Sequence, residues 1–275
     1  MKILVIYNKK SKPSAESLSQ ALKRQMPSHR VFRGNPAGNL VRTEKWDILI
    51  NMGNSGTISR DFPTVNPPSK VAQCINKKKA RMRFKAKGIP APKLWLKVHE
   101  IPKREYPIIA RKTFHMKGKG LWFCKTKKEA LRAKKRGATH FLKYIDSTRE
   151  FRVHVFSSAM LPKRASDYKV VKISEKMAEE KPKSEIVKNH ENGYIFKSSK
   201  DPYNTLHSKI SKVAKECLLN FGLHFGAVDI MWSTSTKKAM VLEINTTPCL
   251  TDDNANTSEI YAQNLQKLIE GIYKK

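Results

Sequence analysis

The hydrophobic pattern opens with Lys2 and the apolar run Ile3-Leu4-Val5-Ile6-Tyr7, of strand length and without polar interruption. Residues 14–25 have helical spacing with Ser14 as a candidate cap, and residues 46–51 form a second apolar run. Buried strands alternating with a helix predict a small parallel sheet in an N-terminal α/β domain, residues 1–69. The second run ends in the turn formers Asn51-Met52-Gly53-Asn54-Ser55-Gly56, and Pro63, Pro67 and Pro68 mark a linker.

Beyond the linker the period changes repeatedly. Residues 70–87 read as one basic helix, stopped by Gly88-Ile89-Pro90-Ala91-Pro92. Strands are predicted at 106–111 and 121–124, a helix at 127–136 ended by Gly137, and an apolar segment at 141–145. Residues 150–157 alternate, with Phe151, Val153 and Val155 on one face and Arg152, His154 and Phe156 on the other, which predicts a half-buried strand. Leu206, Ile210, Val213, Cys217 and Phe221 recur at helical spacing before Gly222. Two strands, 225–232 and 239–245, flank a polar turn, and a helix over 257–272 follows. The fold class is therefore α/β (α+β).

Composition narrows the class. With 275 residues and 39% hydrophobic content, the chain has the size and core-forming residues of a globular protein. No run of 18 apolar residues is present, so no membrane span is expected. The N-terminus reads as a strand and not as a signal peptide. Cys74, Cys124, Cys217 and Cys249 are far apart and form no paired motif, which fits a reducing, cytoplasmic setting. Charge is the unusual quantity: 55 Lys and Arg against 23 Asp and Glu give a net +32. A nucleotide needs only a few of these cations. The rest reads either as a solvated basic surface or as an electrostatic footprint for a polyanion such as nucleic acid.

The most specific chemistry lies in the hairpin of residues 225–245. Glu243 and Asn245 are two apart on one strand, so both leave the same face. With a turn near Ser235 and Thr236, Asp229 falls opposite Leu242 or Glu243, about 5 Å away. Three hard oxygen donors then converge, a set suited to Mg²⁺, with Mn²⁺ as a substitute. The rival reading is an ordinary solvated hairpin, against which Val228, Ile230 and Ile244 read as core. Upstream, Arg111 ends a strand, and Gly118-Lys119-Gly120 with Lys117 makes a flexible cationic loop able to approach an anion. Alone, that loop is an ordinary hairpin connection; with the acidic hairpin it becomes a candidate lid over a triphosphate. His115, His154 and His190 lack metal-ligand spacing, and Cys249 has no partner base, so ordinary polar and packing roles are expected of them.

The order of these motifs resembles the ATP-grasp superfamily, particularly RimK-like and D-alanine–D-alanine ligase-like carboxylate–amine ligases. The resemblance rests on Gly88-Ile89-Pro90-Ala91-Pro92 behind a basic helix, the strand and glycine loop of residues 107–121, Glu150-Phe151-Arg152-Val153, and Gly226-Ala227-Val228-Asp229-Ile230 with Leu242-Glu243-Ile244-Asn245-Thr246-Thr247-Pro248. It implies an ATP-grasp domain over residues 70–275, with a small lobe at 70–145 and a large lobe at 146–275. It further implies Mg²⁺ at Asp229, Glu243 and Asn245. Phosphate would be held by Lys79 (with Lys77 and Lys78 as competitors), by Arg111, where the family usually has lysine, and by the Gly118 and Gly120 loop. Adenine would sit against Lys143, Tyr144 and Ile145. Arg152 and Arg164 would bind the carboxylate and its acyl-phosphate, and Asn189 and Gly193 would belong to a substrate loop. The implied activity joins a carboxylate to an amine with release of ADP and phosphate. The partners are ATP and small carboxylate and amine substrates, the acceptor being small or a polypeptide. Competing readings are a nucleic-acid-binding protein on a degenerate scaffold of this type, and a small-molecule kinase.

Overall fold

A computed structural model describes the chain apart from residues 37–43, 59–61, 114–119, 147, 187, 189, 200, 202–204, 252–255 and 274–275. Gly118 and Asn189 therefore lie outside the described residues, as do His115, Lys117 and Lys119.

The first apolar run is strand β1 (Lys2–Tyr7), which lies between β2 (Arg30–Gly34) and β3 (Ile48–Met52), with β4 (Thr64–Val65) beyond β3. All these pairings are parallel, as the run of consecutive apolar residues predicts for strands covered on both faces. Helix α1 (Lys12–Gln25) covers one face; it starts two residues before Ser14, whose hydroxyl instead accepts from the Leu250 backbone. β2 escapes the hydrophobic pattern because its burial is mostly polar-faced, with Arg30 and Arg33 outward.

The proline segment is not a loose linker. It contributes β4, and Pro67 and Pro68 start helix α2 (Pro68–Ile75). Asn66 between them is fully buried with φ +59, and it fastens this segment to the C-terminal sheet. Its side-chain oxygen accepts from the His224 and Phe225 backbones, and its amide donates to the Phe225 carbonyl at 2.9 Å.

The single basic helix expected over 70–87 is two. Asn76 takes an extended conformation between α2 and α3 (Lys77–Ala86), and its side chain caps α3 by accepting from Lys79 N–H at 3.0 Å. Asparagine at a helix start costs nothing that the cap does not return, so the break falls there. The small lobe follows: β5 (Leu94–Trp95), β6 (Ile108–Arg111), β7 (Leu121–Cys124), helix α4 (Lys127–Lys135) and β8 (His140–Lys143). Its antiparallel sheet has the order β5-β8-β6-β7.

The large lobe is an antiparallel five-stranded sheet of order β11-β10-β9-β12-β13, made of β9 (Thr148–Ser157), β10 (Tyr168–Ala178), β11 (Tyr194–Ser198), β12 (Phe225–Ser233) and β13 (Lys238–Asn245). Phe151, Val153, Val155, Val228 and Ile230 pack on one face against helix α5 (Thr205–Phe221). β9 is not half-buried as its alternation suggests: His154 and Phe156, on the other face, are covered too. Helix α6 (Thr257–Tyr273) and the N-terminal domain roof that end, where Phe156 stacks on Phe225 and Tyr261 meets both edge-on within the same core as β1, β3 and α1.

Candidate active site

The two strands carrying the acidic residues do not pair with simple register. From the turn inward, Ile230 faces Val241, which would leave Asp229 opposite Leu242. A bulge at this point skips Leu242, and Asp229 pairs with Glu243. On its other side Asp229 pairs with Arg152, and Ala227 pairs with both His154 and Asn245. Directly opposed residues share a face, so Arg152, Asp229, Glu243 and Asn245 all emerge on the sheet surface away from α5. The Arg152 guanidinium donates to both Asp229 oxygens, at 2.8 and 2.9 Å, in fork geometry. Asn245 donates to the same carboxylate at 3.1 Å, which leaves its amide oxygen as the ligand-type atom.

Arg81, on α3, supports the bulge. It is 3% exposed, and its guanidinium donates to the Val241 carbonyl at 2.8 Å and to the Leu242 carbonyl. Those acceptors belong to the skipped residue and its neighbour, where the ladder is locally disrupted. Burial, with Arg111 nearby, pulls the Arg81 guanidinium down to about 9, and the Glu243 charge resists this. The Gly-Ile-Pro segment contributes one further contact, Val241 N–H to the Pro90 carbonyl at 2.7 Å.

Cations from α3 and β6 complete the surface. Lys77, first residue of α3, forms an ion pair with Glu243. Burial alone would raise the Glu243 carboxyl; Lys77, Arg111 and Arg152 outweigh it and hold it far below the usual carboxylate range. Burial lowers the Arg111 guanidinium, and Glu243 and Glu150 hold it up. Arg152 is opposed by burial but kept firmly charged by Asp229. It lies over the Phe196 ring at 4.2 Å, and Lys176, paired with Glu150 at 2.7 Å, lies 5.4 Å from the same ring. His154, beneath them, donates to or accepts from Tyr261 Oη at 2.9 Å. Burial, Arg152 and Lys172 drive its imidazole down to about 3, so it is neutral.

The N-terminal domain closes the far edge. Its β1 and β3 loops meet where Asn8 donates to the Gly53 carbonyl at 2.7 Å, at the carboxyl ends of strands that lead to opposite sides of the sheet. Gly53 has φ +75, and a Cβ there would stand 1.9 Å from Thr247 Oγ1. That hydroxyl, two residues beyond Asn245, is buried with no hydrogen-bond partner among the described residues.

Of the residues singled out in the sequence, Arg111, Arg152, Asp229, Glu243 and Asn245 are brought together. Lys79 is not: it is exposed, and its competitor Lys77 reaches Glu243. Arg164 stands outside the cluster, 80% exposed at the end of the β9–β10 loop and paired with Asp167 at 3.2 Å. Lys143 spends its ammonium on Glu105, donating to the backbone carbonyl at 2.9 Å with the carboxylate 3.4 Å away. Tyr144 beside it packs edge-on to Phe123 at 4.9 Å, and Ile145 follows in the chain. Gly120 has φ +81 and closes the β6–β7 hairpin by accepting from Lys112 N–H at 3.0 Å. Gly193, φ +83, lies at the base of the β10–β11 loop, where its carbonyl accepts from Glu179. Sequence reasoning missed Arg81, Lys176 and Phe196. Arg81 sits in a run that reads as a solvated basic face, and β10 and β11 carry no motif.

No family profile matches the sequence, and no curated protein does. Solved structures do match the fold. D-alanine–D-alanine ligase from Bacillus anthracis is 17% identical, with a TM-score of 0.73 over 98% of this chain and 96% of that one. N5-carboxyaminoimidazole synthase from Aspergillus clavatus, solved with ADP and 5-aminoimidazole ribonucleotide, is 13% identical with a TM-score of 0.68 over 98% and 76%. The ATP-grasp ligase PsnB, solved with a phosphomimetic variant of a minimal precursor, Mg and ADP, is 10% identical with a TM-score of 0.66 over 96% and 98%. The chain has the ATP-grasp fold.

Proposed function

We propose that this protein is an ATP-dependent carboxylate–amine ligase that activates a carboxylate as an acyl-phosphate and releases ADP and phosphate. The observation that carries this reading is the convergence of Asp229, Glu243 and Asn245 beside Arg152, with Lys77 of α3 and Arg111 of β6 facing them. Two carboxylates and one amide supply oxygen only, a donor set that fits Mg²⁺. When bound, the ion neutralises phosphate charge during transfer.

The protein's own groups supply the rest. A carboxylate and a triphosphate repel one another, and Lys77 and Arg111 are placed to hold the phosphates against that repulsion. Each is a cation already facing Glu243, so each can exchange a carboxylate for a phosphate oxygen. Arg152 offers a guanidinium fork matched to a carboxylate or an acyl-phosphate, stiffened by the Phe196 ring below it. The Gly118–Gly120 loop would cover the phosphates and exclude the water that hydrolyses an acyl-phosphate. Residues 143–145 would hold adenine through backbone atoms, since the Lys143 ammonium is committed to Glu105. Asn189 and Gly193 would border the acceptor, and Arg164 would have to leave Asp167 to join them.

The test is ADP release with Mg²⁺, screened over amino acids, polyamines and acidic or basic peptides, followed by product mass. An amide product, lost in Glu243→Gln, supports the reading. A phosphorylated product, or ADP release unchanged in Glu243→Gln, overturns it.

A further inference from the structure

The catalytic reading uses about six cations and leaves most of the charge unexplained. That charge is uneven. Residues 1–143 hold 35 Lys and Arg against 7 Asp and Glu, whereas residues 144–275 hold 20 against 16. The densest stretch is Lys125-Thr126-Lys127-Lys128-Glu129-Ala130-Leu131-Arg132-Ala133-Lys134-Lys135-Arg136, with seven cations and one acid.

The structure turns this stretch into a face. Ala130 and Ala133 are buried against the small lobe, and all seven cations are exposed. Lys128, Leu131, Arg132 and Lys135 stand at i, i+3, i+4 and i+7, which places them in one stripe along the outer side of α4. The single acid is already engaged: Glu129 accepts from Lys125 N–H at the helix start, where Thr126 is the cap. Among the described residues none of the seven cations pairs with a carboxylate. Lys112 extends the face, lying across Gly120 and Gly137, each of which would bring a Cβ within 3.2 Å of it.

This arrangement opposes the helix that bears it. Lys128 and Arg132, Arg132 and Lys135, and Arg132 and Arg136 are like charges at i, i+3 or i, i+4. Lys127 and Lys128 also set positive charge at a helix N-terminus, against the macrodipole. A phosphate polymer laid along the stripe removes both penalties.

We infer that the outer face of α4, with Lys112, Arg136 and the flanking lysines, is a docking surface for the phosphate backbone of a nucleic acid. The face carries a single exposed apolar side chain, Leu131, among the described residues, so it lacks the apolar anchors that peptide grooves select and the apolar stripe that enters a lipid surface. Among the described residues it also presents no exposed aromatic for base stacking, so binding is to phosphates and independent of sequence. The inference does not depend on the ligase reading, and none of these residues belongs to that site.

The test is fluorescence anisotropy of the full-length protein with a labelled 20-base-pair DNA duplex of arbitrary sequence, titrated between 50 and 300 mM KCl. A linear fall of log affinity with log salt is expected. The combined Lys128→Glu, Arg132→Glu, Lys135→Glu variant should bind at least tenfold more weakly at 100 mM, with the slope reduced by about 2 to 3. Its thermal midpoint should stay at or above that of the parent, which separates lost docking from lost folding. Undiminished binding by the variant overturns the inference, as does no binding by the parent at 50 mM KCl. So does equal displacement of the duplex by poly-glutamate of matched charge, which would make the partner an acidic polypeptide.

Discussion

The β9–β12–β13 surface and the α4 face use the same residue types in opposite ways. On the sheet surface the cations around the acidic residues are paired: Arg152 with Asp229, Lys176 with Glu150, Arg149 with Glu175, and Lys77, reaching over from α3, with Glu243. On α4 and its two ends, none of the seven pairs with a carboxylate among the described residues. The difference is burial. A charge removed from water must be compensated at once, so the sheet surface is a closed network whose geometry is specified residue by residue. A charge left in water needs no partner and carries no geometry, only a field. The first surface is therefore suited to positioning a few reacting atoms, and the second to attracting a long polyanion.

Breaking a pair on the sheet should produce the largest effect. Arg152→Met leaves Asp229 buried without its fork, and a loss of about 3 kcal/mol is expected in urea unfolding. The double variant Arg152→Met, Asp229→Leu should regain most of it, because no uncompensated charge remains. A double variant as unstable as the single would show that packing and not pairing holds this region. Arg81→Met comes next. It leaves the Val241 and Leu242 carbonyls without their donor, for an expected loss of about 2 kcal/mol. Because those carbonyls flank the bulge, Glu243 should slip out of register with Asp229. Mn²⁺ affinity in the presence of a non-hydrolysable nucleotide should then fall at least tenfold, whereas Arg81→Lys should retain part of it.

The sheet surface was also the part most legible in the sequence. Asp229, Glu243 and Asn245 announce themselves by alternation on two apolar strands, and period-two geometry places them on one face without further information. The choice between Leu242 and Glu243 opposite Asp229 was left open because it depends on a bulge, and the bulge depends on Arg81, 160 residues away from Val241. Local pattern cannot report such a contact. The same holds for Lys77 against Lys79. Three adjacent lysines have equal propensities, and only the Asn76 cap, by starting a new helix, decides which one reaches Glu243. β2, β10 and β11 were invisible because their polar residues are tied up by pairing, which a single-strand reading does not see.

A smaller effect sharpens the comparison through pH. His154 shares the sheet surface with Arg152 and Lys172, and burial together with these cations lowers its imidazole to about 3. In the unfolded chain it takes up a proton near its ordinary value of about 6.5. Between these values the unfolded state binds one more proton than the native state, so stability is full above about 6.5 and falls as pH drops. The slope from this group approaches about 1.4 kcal/mol per pH unit. His224, also lowered by burial, adds in the same direction. Urea unfolding from pH 7 to 5 should show this decline, and His154→Gln should flatten it while leaving the His224 part. A slope unchanged in His154→Gln would mean that the imidazole is protonated in the native protein.

The smallest effect belongs to α4, and its sign is what matters. Neutralising Lys128 and Arg132 together, as Lys128→Gln and Arg132→Gln, removes like-charge neighbours at i, i+4 and one cation from the first turn. Each such term is worth about 0.2 to 0.5 kcal/mol, so the variant should be slightly more stable than the parent. Added NaCl should raise the thermal midpoint of the parent and do so less in the variant, because screening relieves the same repulsion that the substitutions remove. The Arg152–Asp229 fork, out of bulk solvent, should be indifferent to the same salt. If neutralising α4 destabilises the protein instead, its cations hold contacts within the fold, and the contrast between a network and a field fails at the surface where it was drawn most sharply.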